Sequence, residues 1–146
     1  MKMKIDFIQT ENKDSTTCII KYGDETYTGN ARCHPDDMDM ANTLTGQEIA
    51  YKRALVKMLK TEIQATKTEL KIFTNFYNSL KQSKKFNDKC YAAYKLRKEI
   101  EDLKYTIEQL TKTLNALKTS IQIYINKKEE LYKLIRKNRG QEKKNK

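Results

Sequence analysis

The sequence predicts an α+β protein, a small N-terminal antiparallel β-sheet followed by a long antiparallel two-helix coiled-coil hairpin. Three observations carry this. β-rich segments separated by a Gly-Asp turn signal occupy the first 35 residues. A seven-residue apolar repeat then runs from Ile49 to Ile135 with one break. One Pro and four Gly in 146 residues exclude a many-turned all-β fold.

The elements follow in order. Met3, Ile5 and Phe7 alternate with Lys4, Asp6 and Ile8, the period of a strand. Thr16–Tyr22 is β-rich, Gly23-Asp24 is a turn, and Glu25–Thr28 returns as the second arm of a hairpin. Gly29-Asn30 reads as a second turn, leading into Ala31-Arg32-Cys33-His34. So small a sheet needs a helix or another chain against its apolar face.

Thr45-Gly46-Gln47-Glu48 has the form of a capping box, with Thr at the N-cap and Glu at N3. The first helix is expected over about 46–80. Its seam alternates Ile49, Val56, Ile63, Leu70, Tyr77 with Lys52, Leu59, Thr66, Phe73, Leu80. The polar run 81–86 breaks the pattern, and Asn87 or Asp88 is placed to cap a second helix over about 88–138. The second seam runs from Leu96 to Ile135, and ten of its twelve positions are aliphatic. The connection is short, so the helices pair antiparallel.

The first helix is roughly 50 Å long and the second about 75 Å, at 1.5 Å per residue. The far end of the second helix, near 122–138, therefore overhangs and is expected to cover the sheet or pair with another subunit. Off-seam aliphatics at Leu55, Met58, Ile72, Phe76, Ile123 and Ile125 point to a homo-oligomer. The domain reading is 1–44 for sheet and loop, 45–138 for the hairpin and 139–146 for a frayed charged tail, in one cooperative unit.

Lys+Arg is 30 and Asp+Glu 19, a formal net charge of +11. Residues 1–50 carry −4 and residues 51–146 carry +15, so the later part of the chain should attract anions. No run of about 18 apolar residues is present, which excludes a transmembrane helix. The N-terminus lacks the apolar core of a secretory leader. Three cysteines without a CxxC argue against a disulfide framework, and the expected compartment is a reducing cytosol. A single His excludes most His-based metal sites, and no cofactor is expected.

Of the basic residues 25 are Lys and five are Arg. Arg is the more informative, because its planar fork matches phosphate. Arg32 and His34 stand at i and i+2 and share a face if the strand continues, where they suit a phosphate or a base edge. A strand end, with Asp36-Asp37 capping the next turn, accounts for the same residues. Cys33 and His34 are adjacent and point to opposite faces, so neither a shared metal nor a nucleophile pair fits. Asp36, Asp37 and Asp39 read as a solvated loop rather than a Mg²⁺ site.

Aromatics, amides and lysines gather at the hairpin tip. Phe76, Tyr77, Phe86 and Asn87, with Arg53 and Arg97, are the residues whose chemistry suits a nucleotide: rings for the base, amides for its edge, cations for phosphate. Tyr77 lies in the seam, where core packing is the stronger explanation. Phe86 lies in the polar tip, where packing within the hairpin explains it less easily. Walker A, GxGxxG, HExxH and GxSxG motifs are all lacking, and an enzyme is the least supported class.

The stretch Gly29–Ala54, containing Ala-Arg-Cys-His-Pro-Asp-Asp and Gly-Gln-Glu-Ile-Ala, looks like a sequence common in small phage and prophage proteins of Gram-positive bacteria. With a small sheet before it and two long helices after it, the chain resembles the phage Thoeris anti-defence sponge family. That resemblance implies a non-enzymatic protein that acts in the cytosol of a bacterial host. It would bind cyclic ADP-ribose signals of TIR-domain enzymes and cyclic trinucleotides of the cGAS-like enzymes of CBASS, without cleaving them. It implies an oligomer, typically a hexamer, with signal sites between subunits, and carries Arg32 and His34 over as trinucleotide contacts. Two other classes stand beside it: a basic phage DNA- or RNA-binding protein, and a structural coiled-coil protein whose sheet is a docking module.

Overall fold

The computed structural model describes residues 2–10, 15–32, 43–83, 85–87 and 90–144. Cys33, His34, Pro35, Asp36, Asp37, Asp39 and Asp88, singled out above, lie outside the described residues. The order is β1 (Met3–Gln9), β2 (Ser15–Tyr22), β3 (Glu25–Arg32), α1 (Thr43–Lys81) and α2 (Tyr91–Lys144). The α+β class and the helical hairpin are as the sequence predicts. Among the described residues no helix is long and apolar enough to cross a membrane.

The strands form one antiparallel sheet in the order β1-β2-β3. Gly23, at φ 62°, turns the β2–β3 hairpin in a conformation a Cβ would resist. The register opposes Phe7, Cys18 and Gly29 in one row and Ile5, Ile20 and Tyr27 in the next. Met3, Ile5, Phe7, Thr16, Cys18, Ile20, Tyr27, Gly29 and Ala31 therefore share one face. Burial pushes the Cys18 thiol above its ordinary pKa.

Gly29 is not the turn expected at Gly29-Asn30. It lies inside β3, and α1 crosses it so closely that a Cβ there would stand 2.1 Å from the Ala50 carbonyl oxygen and 2.4 Å from the Ala54 nitrogen. Ala50 and Ala54, four residues apart and hence on one helix face, are fully buried there. Glycine here permits backbone-to-helix approach rather than chain reversal. Cys18, Ile20, Ala31 and Ile49 complete the core, with Tyr27, Tyr51, Leu55, Met58 and Ile125 packed around it. Leu55, Met58 and Ile125, read from sequence as oligomer contacts, are thus used within the chain. Ile72, Phe76 and Ile123 remain exposed.

α1 starts at Thr43, so Thr45 lies inside the first turn rather than at the cap of a capping box. No Pro occurs between 43 and 48 to stop the helix extending that way, and propensity differences among Thr, Leu and Gln are small. α2 likewise continues through Lys144, past the expected end at Asn138. Seam positions of α1 are all withdrawn from solvent. Its polar members are satisfied locally. Thr66 donates to the Glu62 carbonyl at 2.8 Å, and the Lys52 ammonium meets Ser120 Oγ at 2.5 Å, Glu48 at 3.4 Å and the Tyr124 ring at 4.1 Å.

The chain divides into two compact units, residues 1–58 with 116–146, and residues 59–115. The division falls within both helices. In the first unit the overhang of α2 lies against the sheet core through Ile125, and Lys128 donates to the Arg32 carbonyl at 3.3 Å.

Candidate functional site

The second unit holds a concave surface of about 640 Å³ where the last turns of α1 meet the first turns of α2. Its formation starts with the end of α1. Gln82 and Ser83 donate to carbonyls three residues back, tightening the last turn, and Phe86 N–H then bonds the Ser83 carbonyl at 3.1 Å. This fold-back sets the Phe86 ring edge-on to Tyr77, centroids 5.9 Å apart at 82°. Phe86 is therefore explained by packing within the hairpin, against the sequence expectation.

Tyr77 is buried, and three groups meet it. Phe86 packs against it nearly at right angles, the Lys81 ammonium stands 4.5 Å from its centroid, and Arg97 Nη1 donates to its hydroxyl at 3.4 Å. Lys81 is in the last turn of α1, where a cation complements the helix dipole.

Cys90, not Asn87, caps α2. Its Sγ accepts the Ala93 N–H at 3.4 Å, and its carbonyl accepts the first helical bond from Tyr94 at 3.1 Å. The Asn87 carbonyl accepts Cys90 N–H at 3.1 Å in the preceding turn. From the cap onward, Tyr94, Arg97, Lys98, Glu101 and Lys104 recur at spacings of three and four residues, a single helix face. That face lines the cavity beside Tyr77 and Lys81, over a floor at Ile100. Four cations thus stand against one carboxylate, Glu101, which pairs with Lys104 at 3.4 Å.

Of the sequence-predicted residues, Tyr77, Phe86 and Arg97 are brought together. Phe86 packs on Tyr77 from outside the cavity, Phe76 is exposed and Asn87 sits in the turn, so of these only Tyr77 and Arg97 line it. Arg53 belongs to the first unit, where its Nη1 donates to the Asn30 carbonyl at 2.6 Å. Arg32 is exposed at the end of β3 on the face opposite Ala31, and its intended partner His34 lies outside the described residues. Sequence reasoning assigned no role to Tyr94, Lys81, Lys98 or Lys104. The spacing of 94, 97, 98, 101 and 104 was the signal available for them. Among the described residues no group of three His, Cys, Asp or Glu is placed to hold a metal ion.

Rings beside guanidinium and ammonium groups, with a carboxylate able to accept ribose hydroxyls, make an arrangement suited to a nucleotide. The cavity volume lies within the usual range of small-molecule sites, about 300–1,000 Å³. Comparison of the chain with protein-family models, curated proteins and solved structures finds no match.

Proposed function

We propose that the protein binds a cyclic nucleotide signal and withholds it from its receptor without breaking a bond, as a phage anti-defence sponge acting in the bacterial cytosol. The observation that carries this reading is the Tyr77–Arg97–Lys98 cavity, where aromatic surface and four cations converge on a volume of nucleotide size. The likeness of Gly29–Ala54 to small phage proteins supports the biological setting. In this reading the cavity takes a cyclic ADP-ribose isomer: the exposed Tyr94 offers its ring to the base, Tyr77 holds Arg97 and Lys81 in place, and Arg97 with Lys98 and Lys104 neutralises the pyrophosphate. Arg32, with His34, is assigned to cyclic trinucleotides, one pair from each subunit of a homo-oligomer, taken as a hexamer.

The test is calorimetry with a panel of cyclic ADP-ribose isomers and cyclic trinucleotides, followed by heating the complex and identifying the released ligand. Arg97→Ala and Lys98→Glu should each weaken cyclic ADP-ribose binding by about tenfold or more, since a charge-assisted contact contributes about 1.5–3 kcal/mol. Arg32→Ala should remove trinucleotide binding alone. Recovery of a hydrolysed product, or unchanged affinity in both cavity variants, overturns the reading.

A further inference from the structure

The two edges of the sheet differ. At the end of β3 cations take two carbonyls: Arg53 donates to that of Asn30 and Lys128 to that of Arg32. Among the described residues the β1 edge is terminal in the sheet, and it runs for seven residues. On the core-facing side of β1, Met3, Ile5 and Phe7 are 44%, 37% and 41% exposed, although the same face is sealed over β2 and β3 by α1. A recess of about 360 Å³ runs beside them, floored by Ile5 and Phe7 and walled by Gln47, Glu48 and Tyr51. Edge strands are normally blunted by like charges, a charge turned inward, a Pro or a bulge, whereas the two charges of β1, Lys4 and Asp6, are of opposite sign and can complement a second copy. β1 has no Pro, and its register with β2 is unbroken from Met3 to Gln9.

From this we infer that β1 is a homodimer interface, in which two copies pair their first strands antiparallel about a two-fold axis at Ile5 and join their sheets into one of six strands. The register is selected by charge and pleat. Opposed residues of an antiparallel pair lie on the same face, so only residues of like parity can face one another. An axis at Lys4 sets Lys4 against its own copy, and one at Asp6 sets Asp6 against its own copy; like charges directly opposed destabilise a sheet. An axis at Phe7 sets Ile5 against Gln9. An axis at Ile5 sets Lys4 against Asp6 twice, Met3 against Phe7 twice and Ile5 against itself. The apolar row Met3, Ile5, Phe7 then continues across the axis. The Lys4–Asp6 pair that spans 3.8 Å within one strand gains a second, cross-strand counterpart.

This inference does not depend on the ligand. The test uses charge exchange in the full chain, read by analytical ultracentrifugation. Lys4→Asp opposes two carboxylates to two carboxylates, and Asp6→Lys opposes lysines to lysines, so each variant alone should dimerise about tenfold or more weakly than wild type. An equimolar mixture of the two should recover a heterodimer, because every opposed pair is again unlike. That recovery cannot come from charges within one strand, which stay mismatched in both chains. The register is checked separately with Ile5→Cys and Ile8→Cys under mild oxidation, against the wild-type cysteines as background. Ile5→Cys should crosslink, since opposed residues stand about 4.5–5.5 Å apart at Cα, and Ile8→Cys should not. A 17 kDa wild-type monomer at micromolar concentration, no heterodimer from the mixture, or crosslinking at position 8 in place of 5 overturns it.

Discussion

At the scale of single residues, Gly29 and Gly140 make opposite demands on the same amino acid. A methyl group at 29 would collide with helix backbone at Ala50 and Ala54, which can give way only by lifting α1 from the sheet. Gly29→Ala should cost about 2–3 kcal/mol in urea unfolding, the upper range for overpacking a core. At 140 nothing stands within 4 Å and the backbone is helical. Gly140→Ala should therefore raise stability by about 0.5–1 kcal/mol, the entropy cost of helical glycine. Equal stability of Gly29→Ala and wild type would mean that α1 does not seat on β3 as described. The pair also shows what the sequence withholds. A glycine required for a turn and one required for close approach are the same letter, and Gly29-Asn30 was legible only as a turn because its neighbour is 21 residues distant in the chain.

At the scale of elements, periodicity was legible and boundaries were not. The heptad pattern assigns the buried line of α1 residue by residue, because one aliphatic stripe has one way to leave water. The ends depend on capping, where several residues compete and a thiol ranks below the oxygen-bearing side chains. Cys90 holds the cap of α2 through a weak acceptor, at 3.4 Å. Cys90→Ser supplies a stronger and shorter one. It should be more stable than Cys90→Ala by about 0.5–2 kcal/mol, the usual range for an N-cap hydroxyl. Equal unfolding midpoints for the two would show that the side chain at 90 does not cap. The candidate site was half legible for a related reason. Tyr77 and Arg97 were found by residue type, whereas Lys81 and Lys98 looked like ordinary solvated lysines in a chain that has 25 of them. What singles them out is a shared helix face around one ring.

At the scale of the molecule, charge is distributed differently in space and in sequence. Along the chain, −4 is followed by +15. In the fold, residues 1–58 with 116–146 carry +6 and residues 59–115 carry +5. The acidic beginning and the basic end belong to one unit, so neither unit concentrates the surplus a duplex would need. Binding of double-stranded DNA should accordingly be weak at physiological salt and fall by about one log unit per log salt for each phosphate neutralised. Binding of a small cyclic nucleotide should persist at that salt. Filter binding against calorimetry across a salt series checks both. Tight duplex binding at physiological salt, with no cyclic nucleotide bound, would favour the nucleic-acid-binding alternative.

Arg53 and Lys128 also have a consequence for stoichiometry. A β-sheet with two open margins is a repeating unit, and its growth by strand addition has no natural end. Occupying the Asn30 and Arg32 carbonyls with side-chain cations obstructs strand addition at that margin. Two copies joined at their remaining margins would then present a finished ribbon: growth by strand addition stops at two, and any larger assembly of the pairs must use other surfaces.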